Sequence, residues 1–451
     1  MKAVRPSPWP LRTTSLITAV LLLVPAVALR LFPRPRAEGL ERLLPQASLL
    51  QSFPAAPERS APPLWRQRLG AADAARLWRL QRGLWWQFWG RDGDGGPFLV
   101  FIRPAPAAAA LPRTALAVDD LVVLAPDPLS RRQLADQLGT ASRQRRGLER
   151  RCLERLQTGE AVYWSPVGLA EVAAVLAPLL QQGRQGCLSL VPLTGDRRRL
   201  VGLGLSGEAG SASGLLGDVA PAAASGPAPA VPPDSTLLQL QGPSLAPLLQ
   251  SLLVRQLIRE PLATRYGLAD AQVRLFTGVP FRLQLHARAS GPFRAGLDLQ
   301  LAVGADRRPW AALLAALRQG LLSQGLQEAP APSTTAAAAD RRPQPLAAAS
   351  FQRDDGTVVG GWRWQASVAA APGLLLFLGT PPPAGAPLSA PPPRGPLRLW
   401  LRPAAMDQAG LMPASLPRLV RRASLLELNL NPADGPLSRL TGRLRLATTQ
   451  R

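Results

Sequence analysis

A chain of 451 residues with 47% hydrophobic content is long enough for two or three cores, which excludes a fibrous or wholly disordered polypeptide. The formal charge is +23, from 52 Lys and Arg against 29 Asp and Glu, with one histidine, His286, and two cysteines. That inventory shows no Ser-His-Asp, Cys-His or metal-ligand spacing, so no catalytic residue, metal or cofactor is expected.

All the basic residues except Lys2 are arginine, and Ala, Leu, Gly and Pro dominate the rest. A GC-rich genome produces this bias, so arginine content says little by itself. The net charge still draws the chain to polyanions: acidic lipid, an anionic wall polymer or nucleic acid. Nucleic-acid binders concentrate their charge on one face. Here the arginines run along the whole chain, which argues against nucleic acid and leaves membrane lipid, a wall polymer or a protein as expected partners. The densest run, residues 131–155, holds eight Arg beside Asp136, Glu149 and Glu154 and reads as a solvated helix face.

In chain order, the first feature is residues 13–29, seventeen residues without a charge, flanked by Lys2, Arg5 and Arg12 before and Arg30, Arg34 and Arg36 after. A spanning helix needs about 20 apolar residues, with about 17 as the lower limit. We read a single-pass anchor built on Leu16, Ile17, Val20, Leu21, Leu22, Leu23, Val24 and Val27, with the bulk of the chain outside the cytoplasm of a bacterium. The alternative is a signal peptide, because Ala26-Val27-Ala28 has the small-x-small form of a cleavage site and Pro25 breaks the helix before it.

Residues 73–90 (DAARLWRLQRGLWWQFWG) come next. At helical spacing Leu77, Trp78, Leu84, Trp85, Phe88 and Trp89 share one broad face against Arg76, Arg79 and Gln87. An arginine-backed aromatic helix lies at a membrane interface, with Trp78, Trp85, Trp86, Phe88 and Trp89 as contacts, or packs on its own domain. Asp92-Gly93-Asp94-Gly95-Gly96 resembles the start of a calcium loop, but Arg103 stands where a bidentate Glu is required, so it reads as a turn. Cys152 and Cys187 form one disulfide in an exported domain and two buried thiols in a cytoplasmic one. Gly202, Gly204 and Gly207 match G-x-G-x-x-G by letter, yet they fall within or at the end of a strand rather than opening a helix.

Three low-complexity stretches, residues 217–233, 329–348 and 380–396, are rich in Pro, Ala and Gly and read as linkers or loops. They divide the chain into an N-terminal segment (1–36), a basic α+β domain (37–212), a linker (213–234) and a second α+β domain with Pro-rich insertions (235–451). Between them a strand, a proline, a Leu/Ala-rich helix and another strand recur, as at Ala161–Trp164 with Pro166 and at Leu397–Leu401 with Pro403. Proline suits the first turn of a helix, so the pattern is either ordinary punctuation or a diverged strand–helix–strand repeat.

Period-two alternation predicts antiparallel hairpins. Phe281, Leu283 and Leu285 alternate with Arg282, Gln284 and His286, and Leu297, Leu299 and Leu301 with Asp298 and Gln300. Leu426, Leu428 and Leu430 pair with Leu440, Leu444 and Leu446, and Asp354-Asp355-Gly356 joins two more strands. His286 falls on the polar side beside Arg282, Gln284 and Arg288, and reads as exposed and inert. The expected class is α+β: an N-terminal apolar helix, then antiparallel sheets covered on one face by helices.

The N-terminal apolar segment, the strand–helix–strand spacing and the Pro-rich insertions together resemble uncharacterised membrane-anchored proteins of GC-rich bacteria, cyanobacteria among them. The resemblance covers most of the chain, has no specific motif, and implies no activity and no site residues. The expectation is a non-enzymatic binding or structural module at a membrane surface. The alternative is an exported soluble protein or a hydrolase that uses carboxylates.

Overall fold

The computed structural model describes residues 36–91, 96–104, 112, 114–139, 144–173, 183–194, 200–210, 232–246, 249, 253, 255–288, 293–304, 306–329, 348–365, 373–380, 396–412, 418–432 and 437–446. The apolar segment 13–29, with all eight anchor residues, lies outside them, as do Asp92 to Gly95 and nearly all of the three low-complexity stretches.

The first half runs α1 (Leu40–Leu43), β1 (Ala47–Pro54), α2 (Pro63–Leu69), α3 (Ala71–Leu80), β2 (Leu84–Gly90), β3 (Phe98–Ile102), β4 (Ala115–Val118), β5 (Leu121–Leu124), α4 (Pro128–Gly139), α5 (Gly147–Thr158), β6 (Ala161–Trp164), α6 (Pro166–Ala173), β7 (Gln185–Thr194) and β8 (Leu200–Gly210). The second runs β9 (Thr236–Gly242), α7 (Gln256–Tyr266), α8 (Asp270–Thr277), β10 (Phe281–Ala287), β11 (Ala295–Ala302), α9 (Arg308–Ser323), β12 (Gln327–Glu328), β13 (Ala348–Gln352), β14 (Val358–Gln365), β15 (Gly373–Leu378), β16 (Leu397–Leu401), α10 (Pro403–Gln408), α11 (Arg418–Arg421), β17 (Ala423–Pro432) and β18 (Leu437–Leu446). The class is α+β.

All 18 strands join one antiparallel sheet. Read along the ladders, the order is β4-β5-β3-β2-β1-β6-β7-β8-β18-β17-β16-β9-β10-β11-β15-β14-β13-β12. The two halves follow one plan. A central strand (β1, β9) leads through helices to its neighbour (β2, β10) and then to the next strand out (β3, β11). A further hairpin (β4–β5, β14–β15) lies against that strand. The chain then returns to the other side of the central strand (β6, β16), passes α6 in the first half or α10 and α11 in the second, and finishes in a pair (β7–β8, β17–β18). The last strand of each half meets the other: β8 pairs antiparallel with β18, from Gly210 opposite Leu437 to Gly202 opposite Arg445. Antiparallel pairing of equivalent strands is the relation that a two-fold axis through an isologous interface produces.

That junction follows from the sequence pattern. Leu426 lies opposite Leu444, and Leu430 opposite Leu440. Leu203 and Leu205 of β8 complete this apolar face, while Glu427 and Arg443 on the reverse face form an ion pair at 2.9 Å. The glycines of the G-x-G-x-x-G letters lie inside β8. A Cβ on Gly202 would stand 2.2 Å from the Leu444 carbonyl oxygen, and one on Gly207 1.9 Å from that of Cys187, so close strand approach accounts for both.

Helices do not cover one face throughout. In the first half α2 and α3 pack on one face of the sheet, and α1, α4 and α5 on the other. The strands between are therefore sandwiched, which is why Phe98–Phe101 and Leu121–Leu124 are apolar without alternation. In the second half α8, α9 and α10 pack on one face, over Phe281, Leu301, Trp362 and Leu374.

The aromatic segment 73–90 is not one helix. The helix ends at Leu80, and Leu84–Gly90 is a strand, because Gly83 interrupts the helix and five of the next six residues are apolar, four of them aromatic and strand-favouring. At period two, Trp86 and Phe88 face the core under α4 and α5, and Trp85 faces the core under α2 and α3. Trp78, Trp85, Trp86 and Phe88 are all buried and Trp89 is half-buried, so they form core rather than an interfacial face. Trp65 stacks among Trp78 and Phe101, with ring centroids 5.1 and 4.7 Å away. Each such pair adds about 0.5–1.5 kcal/mol beyond burial.

Cys152 on α5 and Cys187 on β7 are joined by a disulfide, with Cα atoms 5.5 Å apart and a sequence separation of 35. In chain-entropy terms a loop of that length stabilises by about 3–4 kcal/mol. Chemical denaturation of a Cys152→Ser, Cys187→Ser double variant is expected to show a loss of that size against the oxidised protein. Equal midpoints would show that the bond does not constrain the fold.

Candidate functional site

The N-terminal half of α9 is tightly seated, with Trp310, Leu313 and Leu314 buried against β11 and β15. Farther along, Leu317 and Leu321 stand off the sheet and leave an apolar groove of about 520 Å³. Its floor is Leu297 and Leu299 of β11, Leu376 and Leu378 of β15 and Val359 to Trp362 of β14, and Phe351 and Leu326 close one end. Of all its lining residues, only Arg353 carries a charge.

The mouth is apolar too. Phe293 is 38% exposed and Leu378 52%. One arginine lines the groove, Arg353 on the hairpin between β13 and β14, while Arg288 lies over Gly296 on the reverse face and donates to the Thr380 carbonyl at 2.6 Å. The acids of that hairpin are engaged locally. Asp355 accepts from the Thr357 amide at 2.8 Å, and the Thr357 bonds, helped by Arg353, hold its carboxyl below the usual range. Asp354 accepts from Gln327 at 3.2 Å.

On the opposite face of the same strands lies a polar stripe. Gln284 donates to Gln239 at 2.7 Å, and Gln239 to Gln241 at 3.2 Å. Arg282 reaches Gln241 at 3.3 Å and Gln300 at 3.2 Å, and Gln300 donates to Gln365 at 3.0 Å. Arg282 is only 8% exposed, and burial pulls its guanidinium pKa down. Beside this chain His286 Nε2 stands 3.3 Å from Asp298 Oδ2.

His286 is thus neither fully exposed nor alone. The signal was in the sequence: alternation puts His286 and Asp298 on one side of a hairpin, and the register sets Asp298 one diagonal step away. The nearest hydroxyl by register, Thr236 Oγ1, is buried and makes no hydrogen bond. Among the described residues no group of three or more His, Cys, Asp or Glu is placed to hold a metal ion. The dense arginine run is largely paired: Arg151 meets Glu208 at 3.0 Å, Arg150 meets Glu154 at 3.2 Å, and Arg155 donates to Ser189 at 3.1 Å.

No family model matches the chain, and no curated protein is similar to it. Two crystal structures of TP0453 are similar in part. Crystal form IV is 9% identical with a TM-score of 0.21, covering 47% of this chain and 89% of that one. Crystal form III is 9% identical with a TM-score of 0.20, covering 48% and 95%. Scores of this size carry no argument about fold or function.

Replacing Arg282 with Met leaves the buried amide oxygens of Gln241 and Gln300 without their charged donor. Losing hydrogen bonds of this kind lowers stability by about 2–4 kcal/mol. Urea unfolding with an unchanged m-value checks this, and an unchanged midpoint would remove the stripe from the stabilising interactions.

Proposed function

We propose that this chain is a non-enzymatic binding module at a bacterial membrane surface, tethered by residues 13–29 with its sheet outside the cytoplasm. One observation carries the reading: an apolar groove that exposes Phe293 and Leu378 and carries a single charge, Arg353. Exposed apolar side chains beside a cation suit the boundary between headgroups and acyl chains, especially where the lipid is anionic. The +23 charge supports the same partner, and the disulfide supports an oxidising compartment. Among the described residues no helix is long and apolar enough to cross a bilayer, so in this reading the crossing falls to residues 13–29. The matching strand plans of the two halves support a diverged duplication.

Fractionation of the native host tests the reading. The chain is expected to stay with the membrane through high-salt and carbonate washes, and mass spectrometry is expected to find an intact N-terminus. Release by high salt alone contradicts the tether. A mature start at Leu29 replaces it with an exported soluble form.

A further inference from the structure

The groove beneath α9 restricts what it can hold. Its floor strands β11, β15 and β14 are each hydrogen-bonded on both sides, so a peptide finds no free edge on which to add a strand. Apart from Arg353 its side-chain lining is hydrocarbon. A ligand with polar groups along its length would bury each of them unpaired, at about 1–3 kcal/mol apiece. A hydrocarbon chain meets neither obstacle. At the mouth Arg353 supplies one positive charge, and the exposed Phe293 and Leu378 give a tail an apolar path into the groove. The volume of about 520 Å³ lies within the common range for small-molecule sites.

The first half shows what a filled counterpart looks like. There Trp65, Trp78, Trp85 and Phe101 occupy the corresponding helix-covered face and leave core in its place. The second half has α9 and the β12–β13 segment between β11 and β14, where only residues 103–114 separate β3 from β4. The groove lies under that addition.

We infer that the groove holds the tail of a single-chain fatty acid, with the carboxylate at Arg353 and the hydrocarbon between α9 and the sheet. The inference rests on the membrane-surface reading and names the ligand of that same site. Apolar burial drives the binding, and the arginine selects an anionic head.

The test uses the full-length chain in phosphatidylcholine nanodiscs, photolysed with palmitic acid bearing an ω-diazirine, with the labelled peptides identified by mass spectrometry. Label is expected on α9 around Leu317 and Leu321 and on β14–β15 around Trp362 and Leu376. Leu321→Trp and, from the opposite wall, Leu299→Trp are each expected to abolish this label by filling the groove; circular dichroism identifies the variant that stays folded. Arg353→Gln is expected to weaken labelling about tenfold at limiting probe, the loss of one charge-assisted bond. Palmitate is expected to compete better than hexadecanol. Label spread over the surface, or undiminished in a folded filled variant, overturns the inference. Equal competition by hexadecanol overturns the carboxylate assignment. Sedimentation of the same variants with anionic vesicles separates the two readings. Retained sedimentation with absent groove label defeats the fatty acid alone, and loss of both in the unmodified chain defeats the membrane-surface reading as well.

Discussion

The ladder between β8 and β18 holds the rest of the molecule in register. Each half ends on the strand that would otherwise be its free edge, and an unpaired edge of that length invites association with other chains. Pairing the two final strands removes both edges in one contact and gives a single sheet of 18 strands. The small core there, around Leu203, Leu205, Ala423 and Leu444, is shared by residues from both halves. Because the paired strands are equivalent in the two plans, the contact is of the kind found in two-fold dimers, made within one chain.

A common framework carries two different fillings. In the first half, helices on both faces and a nest of Trp and Phe rings make a dense core, tied by the disulfide from α5 to β7. In the second half, α9 covers one face incompletely, and the other face carries the Gln–Arg–Gln chain centred on Arg282. The dense half is built for rigidity. The looser half provides the groove and the exposed apolar lip.

Much of the local structure was legible because half-buried strands leave a period of two. Phe281, Leu283 and Leu285 pair with Leu301, Leu299 and Leu297, and Leu426 and Leu430 with Leu444 and Leu440, so each alternating set shares one face. The segment 84–89 was not legible, because consecutive aromatics satisfy a helical and a strand period alike, and burial on both faces hides the difference. His286 and Asp298 were readable from hairpin geometry. The groove was not, since a void is written in no residue; it arises where Leu317 and Leu321 fall short of strands reached from other parts of the chain. The β8–β18 pairing was hidden for a related reason: it joins segments more than two hundred positions apart, and local pattern does not encode partner choice.

Hydrogen–deuterium exchange along residues 200–210 and 437–446 tests this account most directly. If β8 and β18 join the halves, their amides exchange as slowly as those of the central strands β1 and β9. Fast exchange in both segments, with β1 and β9 still protected, would show two free edges and contradict the continuous sheet.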